Sequence, residues 1–186
     1  PGAIQHFISE HNLTRFDSLK IKTGKEESKE LIKTAHRYFN KSIRVDANEA
    51  WQDPDLLIKE MEDLSALPLE FLEQPFPSDQ KDAYKYLKKY SKIPIIADES
   101  ITFDPNLKEI KELFHGVNMK LMKAGGYREG ARILLESRKL GLKTMVGCMV
   151  ETTLGIRSGA WISGNSDYID LDGSFDLAED LVQGGF

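Results

Sequence analysis

Seven short apolar segments alternate with stretches of helical periodicity along this chain of 186 residues. The apolar segments end at intervals of roughly 25 residues, which is enough for one strand, one helix and two loops. Strict alternation of this kind is typical of a parallel α/β sheet covered by helices, either doubly wound or closed into a barrel. The regular spacing favours a TIM-type (β/α)8 barrel, although a complete barrel needs one strand more than the seven predicted.

The predicted elements follow one another as helix and strand, seven times over. The strands are expected at 18–22, 42–47, 69–73, 93–98, 117–121, 143–148 and 168–171, and the helices at 4–12, 26–38, 55–65, 79–90, 105–113, 127–140 and 153–163. Asp53 and Pro54 mark the start of the third helix, because aspartate caps helix N-termini and proline suits the first turn. The sequence therefore predicts one domain over residues 1–186, with an incomplete barrel.

Composition narrows the class of protein. The net charge of −5 gives no general affinity for nucleic acid or for an anionic membrane surface, and no apolar run reaches the length of a membrane span. Hydrophobic residues make up 40% of the chain, which is enough for a sizeable core. Cys148 is the only cysteine, so an intramolecular disulfide is excluded and a reducing, cytoplasmic setting is expected.

Two lysines lie close together on the first predicted strand. Alternation along a strand sends Lys20 and Lys22 to the same side, where two ammonium groups repel each other. A solvated edge strand tolerates such a pair, but an interior strand needs either nearby negative charge or a use for a lysine of lowered pKa. We expect Lys20 to lower the pKa of Lys22 and Lys22 to be nearer the substrate.

Acidic residues occur at the ends of the next three predicted strands. Because the carboxyl ends of parallel barrel strands converge on one mouth, we expect Asp46, Glu73 and Asp98 to lie near one another there. Three carboxylates without a His or Cys partner indicate Mg²⁺, with Mn²⁺ as a possible substitute. Lys120 ends the following strand. Two lysine bases with a metal between them suit removal and return of the proton beside a substrate carboxylate, through an enediolate.

Five ordered motifs resemble the muconate-lactonizing subgroup of the enolase superfamily, and within it the dipeptide epimerases such as L-Ala-D/L-Glu epimerase. The motifs are Lys20-Ile21-Lys22, Val45-Asp46-Ala47-Asn48, Leu72-Glu73-Gln74-Pro75, Ala97-Asp98-Glu99-Ser100 and the run from Asn118 to Gly126. The resemblance implies a magnesium-dependent isomerase with Asp46, Glu73 and Asp98 as metal ligands. It also implies Lys22 and Lys120 as acid/base catalysts and Lys20 as support for Lys22. Asn48 and Glu99, which lie in these motifs, are further candidates for outer partners of the metal or of Lys120.

The segment Ile169-Asp170-Leu171-Asp172-Gly173 resembles the Asp-x-Asp with which dipeptide epimerases hold the α-ammonium of the substrate. Muconate cycloisomerases and o-succinylbenzoate synthases share the metal and the lysines but bind no ammonium, so the two aspartates favour a dipeptide. A polar turn is the alternative interpretation, since Asp-Gly is a common turn pair. Cys148 is expected to line the pocket or to be buried in the structure. Lys123 with Gly125-Gly126 either contacts an anion or lies in a loop, and a Gly-Gly pair after a strand favours the loop.

The resemblance also implies parts that this sequence does not show. Family members have a capping domain of roughly 100 residues and a first barrel strand before the helix at 4–12. We therefore expect the chain to be part of a longer epimerase, active with its remaining portion. The alternative is a catalytically inactive binding or assembly module, whose open edge is covered by a second copy or by a complementing fragment.

Overall fold

The computed structural model describes residues 2–24 and 28–181, apart from the side chain of Asp176. The chain divides into two compact units, residues 1–95 and 96–186. Within the described ranges it contains seven strands and eight α-helices, and one or two α-helices lie between each strand and the next. No helix in these ranges has the length and apolar character needed to cross a membrane.

The first unit contains three parallel strands that pair in chain order, β1 with β2 and β2 with β3. The strands are β1 (Ser18–Lys22), β2 (Ser42–Asp46) and β3 (Leu69–Glu73), and the helices are α1 (Gly2–Glu10), α2 (Ser28–Phe39), α3 (Pro54–Asp63) and α4 (Lys81–Tyr90). In the paired register, Lys22 lies opposite Asp46, and Asp46 lies opposite Glu73. The three strands therefore end at the same level.

Apolar side chains of strands and helices form the core of this unit. Ile43 and Phe71 on the strands, and Ile32 and Leu57 on the helices, are completely buried. Helix α3 starts where the sequence predicts it, because the Asp53 carboxylate accepts hydrogen bonds from the backbone N–H groups of the first turn. Burial of one face of each helix against parallel strands is the expected result of the alternating pattern.

The second unit repeats the pattern. Its strands are β4 (Ile95–Ala97), β5 (Gly116–Lys120), β6 (Lys143–Gly147) and β7 (Tyr168–Asp170), and its helices are α5 (Leu107–Leu113), α6 (Leu121–Ala124), α7 (Tyr127–Lys139) and α8 (Thr153–Ile162). Ile96 and Ala97 pair with β5, which pairs with β6, which pairs with β7, all in parallel. In this register Lys120 lies opposite Gly147, and Gly147 lies opposite Asp170.

The structure differs from the sequence prediction in two details that affect the site. Strands β4 and β6 end at Ala97 and Gly147, so Asp98 and Cys148 lie one residue beyond their strands. Residues 121–124 form the short helix α6, where a strand end and a loop were predicted. Four residues are too few for a helical period to show in the sequence, and Gly125, which ends α6 with a φ of 83°, resembles a turn glycine.

Candidate active site

The carboxyl ends of β1, β2 and β3 carry a buried ion cluster. The Nζ atom of Lys20 lies 3.1 Å from Oδ2 of Asp46 and 2.9 Å from Oε2 of Glu73. Asp46 is 1% exposed and Glu73 is completely buried. Two buried carboxylates on neighbouring strands would repel each other strongly, and the ammonium group of Lys20 offsets this repulsion by contacting both.

Alternation along β1 explains why Lys20 can reach these carboxylates. Lys20 and Lys22 point to the same side, but Lys20 is partly buried and Lys22, at the strand end, is exposed. The Lys20 side chain bridges Asp46 and Glu73, whereas Lys22 lies where a small molecule can reach it. The prediction that negative charge accompanies this lysine pair is confirmed for Lys20.

Asn48 also contributes to this cluster, through its backbone. Its N–H group donates to Oδ1 of Asp46 at 3.2 Å, and its φ of 40° turns the chain just beyond β2. Asparagine tolerates this left-handed conformation better than most residues. Asn48 was predicted as an outer partner of the metal or of Lys120; the contact that the structure shows is to Asp46 and is made by the main chain.

In the second unit, Asp98 is held by two lysines. Oδ2 of Asp98 lies 2.7 Å from Nζ of Lys120, and Oδ1 lies 2.8 Å from Nζ of Lys123. Asp98 is only 3% exposed. Burial alone would raise the pKa of Asp98, but the two ammonium groups outweigh it and hold that pKa below its usual range. The carboxylate is therefore kept ionised. Glu99, the next residue, is half-buried.

Lys123 is the functional candidate that sequence reasoning placed in a loop and assigned no definite role. It lies three residues after Lys120, and the helical turn of α6 brings both side chains to one carboxylate. The signal that could have found it is the Lys-x-x-Lys spacing directly after a strand. This spacing becomes meaningful only when the residues between the lysines are helical.

The predicted ammonium site lies at the end of β7 and on the loop that follows it. Asp170 is half-buried and Asp172 is exposed. The thiol of Cys148 donates to the backbone carbonyl of Asp170 at a distance of 3.4 Å, and the N–H of Gly173 donates to the same sulfur at 3.3 Å. Cys148 therefore contacts both ends of the segment that carries the two aspartates.

This loop packs tightly on the loop after β6. A Cβ atom at Gly173 would overlap the carbonyl oxygen of Met149 and would lie 3.1 Å from the sulfur of Cys148. Burial raises the pKa of the Cys148 thiol to about 11, and the neighbouring carboxylates of Asp172 and Asp170 act in the same direction. The hydrogen bond from the thiol to the Asp170 carbonyl requires a neutral thiol, because a thiolate has no proton to donate.

The carboxylate of Asp180 attaches the chain segment after the β7 loop to helix α8. Asp180 accepts hydrogen bonds from the backbone N–H and the hydroxyl of Thr153, at the first turn of α8. An acceptor at this position satisfies an N–H group that has no partner within the helix. The segment that follows the predicted ammonium site is thereby attached to α8.

The predicted metal ligands share one kind of donor and one kind of surroundings. Asp46, Glu73 and Asp98 supply oxygen donors, are buried, and are each in contact with a cationic side chain. Within residues 2–24 and 28–181, no three His, Cys, Asp or Glu side chains are grouped in a way that could hold a metal ion. The shared contact of Asp46 and Glu73 with one ammonium nevertheless shows that these two carboxylates converge on a single cation. Their chemistry fits a hard divalent ion such as Mg²⁺.

Parallel strands that alternate with helices and carry charged residues at their carboxyl ends are typical of α/β domains of the (β/α)-barrel type. Residues 4–186 match the family described as "Enolase C-terminal domain-like", and the chain belongs to this family. The family resemblance predicted from the five motifs is thereby confirmed.

Several relatives that the chain resembles are named epimerases. The chain is 40% identical to an L-Ala-D/L-amino acid epimerase of Flavobacterium johnsoniae, over 98% of this chain and 54% of that protein. It is 34% identical to an L-Ala-D/L-Glu epimerase of Bacteroides thetaiotaomicron, over 91% of this chain and 44% of that protein. The chain thus spans about half the length of the relatives it matches.

A solved structure supports the same assignment. A dipeptide epimerase of Enterococcus faecalis, crystallised with Mg and the dipeptide L-Leu-L-Tyr, has a TM-score of 0.86 and 31% identity to this chain. The match covers 97% of this chain and 54% of that one. The predicted barrel-type α/β fold with about seven strands is therefore confirmed.

Proposed function

We propose that this chain provides the barrel-domain part of a Mg²⁺-dependent dipeptide epimerase, an isomerase that inverts the carbon next to a substrate carboxylate through an enediolate. One observation carries the proposal. All three carboxylates expected to bind the metal are buried, and each is in contact with a lysine of the motifs that resemble this family. The names of the relatives support the same reaction class.

In this proposal, Lys22 and Lys120 are the two groups that move the proton. One amine takes the proton from the α-carbon, and the other lysine, as an ammonium, returns a proton to the opposite face, so the configuration inverts with no net change in atoms. Lys20 bridges Asp46 and Glu73, whereas Lys22 is exposed. This difference supports Lys22 as the proton carrier and Lys20 as the residue that supports it.

Asp46, Glu73 and Asp98 would hold the metal ion. When bound, Mg²⁺, or Mn²⁺ in its place, would neutralise the substrate carboxylate and stabilise the negative charge that develops as the proton leaves. Asn48 and Glu99 would support this site from outside. The Asn48 N–H keeps Oδ1 of Asp46 hydrogen-bonded.

The substrate class follows from the loop after β7. Asp170 and Asp172 would bind the α-ammonium group of the first residue of a dipeptide, since charge-assisted hydrogen bonds to carboxylates are strong. The substrates of a muconate cycloisomerase or an o-succinylbenzoate synthase have no ammonium for these aspartates. Cys148 contacts the Asp170 backbone, so its effect on substrate would act through the loop. The cytoplasmic location stays a prediction.

Exchange of the α-proton tests the proposal directly. The protein is incubated with Mg²⁺ and L-Ala-L-Glu in D₂O, and loss of the α-proton signal is followed by NMR. We expect exchange in the wild type and none with EDTA. In Lys120→Ala, Lys22 can still exchange the proton of the epimer that faces it, so conversion of L-Ala-L-Glu to L-Ala-D-Glu should be lost and only one of these two epimers should exchange. Lys143→Ala is the matched control, because Lys143 is an exposed lysine at the other end of a strand. Exchange of both epimers at the wild-type rate in Lys120→Ala would contradict the assigned chemistry.

An assembly role is the second candidate, and it rests on helix α8. Trp161 is 87% exposed and Leu154 is 64% exposed, and a spacing of seven residues puts both on one helix face. An exposed apolar face of this kind is typical of a contact with another polypeptide, such as a second copy or a complementing fragment. Light scattering on the wild type and on Trp161→Ser would show whether this face drives self-association.

A further inference from the structure

We infer that Lys123 is a positioning residue that holds the carboxylate and the backbone of Asp98, a role separate from that of Lys120. The inference rests on the proposed function, in which Asp98 is a metal ligand and Lys120 moves a proton. It adds a residue whose contribution comes from where it places Asp98.

The geometry distinguishes the two lysines. The Nζ atom of Lys123 lies 2.8 Å from Oδ1 of Asp98 and also donates to the backbone carbonyl oxygen of the same residue. The Nζ atom of Lys120 contacts the other carboxylate oxygen, Oδ2, at 2.7 Å. Lys123 therefore fixes the side chain of Asp98 relative to its own main chain, because one ammonium contacts both.

The carbonyl oxygen that Lys123 contacts also closes the turn after β4. The N–H group of Ile101 donates to the Asp98 carbonyl at 2.9 Å. Ile101 is 1% exposed, so the turn is anchored in the core. Lys123 and Ile101 together hold the Asp98 carbonyl from two directions, and the carboxylate at the strand end depends on that turn for its position.

The placement of Lys123 is itself constrained. Helix α6 ends at Gly125, where a φ of 83° suits glycine, and a Cβ atom there would lie 3.3 Å from the ring of Phe103. The short helix is thus held between β5 and the loop that contains Phe103. Its single turn directs Lys123 to the carboxylate that Lys120 reaches from the strand end.

The carboxylate of Asp98 needs two lysines because Lys120 engages the substrate while Lys123 holds the carboxylate. A residue that engages the substrate cannot at the same time remain a constant partner of Asp98. Without a second partner, the carboxylate would lose its orientation and its charge compensation whenever Lys120 is occupied with the substrate. Lys123 lies on the other oxygen and remains in contact with Asp98 throughout.

Two matched variants test this role, because Lys123→Met and Lys120→Met each remove one ammonium from the same carboxylate. Mn²⁺ binding, with Mn²⁺ alone as the probe, is measured by electron paramagnetic resonance. We expect Lys123→Met to weaken Mn²⁺ binding by about 10-fold or more, as is typical for the loss of an outer partner of a metal ligand. Lys120→Met should keep or strengthen binding, because it removes a competing cation and leaves Asp98 in place. Lys123→Arg should restore most of the affinity.

A second measurement needs no metal. Amide hydrogen exchange at Ile101 reports the turn after β4, because the Ile101 N–H donates to the Asp98 carbonyl that Lys123 also contacts. Exchange at Ile101 should accelerate in Lys123→Met and stay unchanged in Lys120→Met. Circular dichroism would confirm that both variants are folded. Equal effects of the two variants on exchange, or tighter Mn²⁺ binding in Lys123→Met, would overturn the inference. A wild type that binds no Mn²⁺ would contradict the metal site of the proposed function, and Ile101 exchange would then decide the role of Lys123.

Discussion

Lys20 and Glu73 are separated by a whole strand and more than one helix in the sequence, yet Nζ of Lys20 lies 2.9 Å from Oε2 of Glu73. The same ammonium contacts Asp46, which lies on the strand between them. Because both carboxylates are buried, the lysine occupies the position of a shared counterion. Its removal should therefore affect stability as well as activity.

Replacing Lys20 with Met should destabilise the metal-free protein by about 3–5 kcal/mol, the usual effect of leaving buried charge without its partner. Lys22→Met is the matched control, because Lys22 lies on the same strand and is exposed. It should change stability by less than about 0.5 kcal/mol. Urea unfolding at pH 7 measures both values. Mg²⁺ should recover part of the loss in Lys20→Met, and equal losses in the two variants would show that the buried cluster contributes little.

Replacing Asp172 with Asn should weaken binding of a dipeptide with a free amino group. Loss of a charge-assisted hydrogen bond costs roughly 1.5–3 kcal/mol, which is on the order of tenfold or more in affinity. Calorimetry with Mg²⁺ present would compare L-Ala-L-Glu with its N-acetyl derivative, whose affinity should not change. Asp79→Asn, at an exposed acidic residue outside the site, provides the control. If both ligands lose affinity equally in Asp172→Asn, Asp172 does not bind the ammonium.

Replacing Gly173 with Ala should destabilise the protein by about 1–3 kcal/mol, because the new methyl group would overlap the Met149 carbonyl and force the two loops apart. Gly164→Ala is the control, since a Cβ atom there meets no heavy atom within 4 Å. Thermal unfolding measures the difference between them. Equal stability of the two variants would show that the loops separate at little cost.

The Cys148 thiol should react slowly with iodoacetamide at pH 8. Burial raises its pKa to about 11, so the reactive thiolate is scarce below that pH, and the rate should rise steadily as the pH approaches 11. In urea the thiol should regain ordinary reactivity with a pKa near ~8.5. Mass spectrometry of timed samples follows the reaction. A folded protein that reacts as fast as the unfolded chain would contradict the observed hydrogen bonds.

The element pattern was largely predictable, and particular residues show why. Strands β1 and β3 occupy the predicted residues 18–22 and 69–73, because buried apolar runs between polar turns are visible in the sequence. Helix α6 was missed because one helical turn leaves no periodic signal. The role of Lys123 was missed with it, since its contact with Asp98 depends on that turn.

The partners of the charged residues were less predictable than their positions. The sequence indicated that Lys20 needs negative charge nearby, and the structure shows two carboxylates, Asp46 and Glu73, on one ammonium. Lys22 carries the same charge two residues later and is exposed. Alternation along the strand puts both lysines on one side and does not by itself predict which of them is buried, because burial depends on how far each lies along the strand.

The sequence by itself determined the α/β class, the order and approximate positions of the strands, and the family, since apolar periodicity and short motifs are local properties of the chain. Only the tertiary structure decided which lysine contacts which carboxylate, and that Cys148 bridges Asp170 and Gly173. The physical reason is that these contacts join residues about 20 or more positions apart. Their distances follow from strand register and from the packing of loops, which no local pattern encodes.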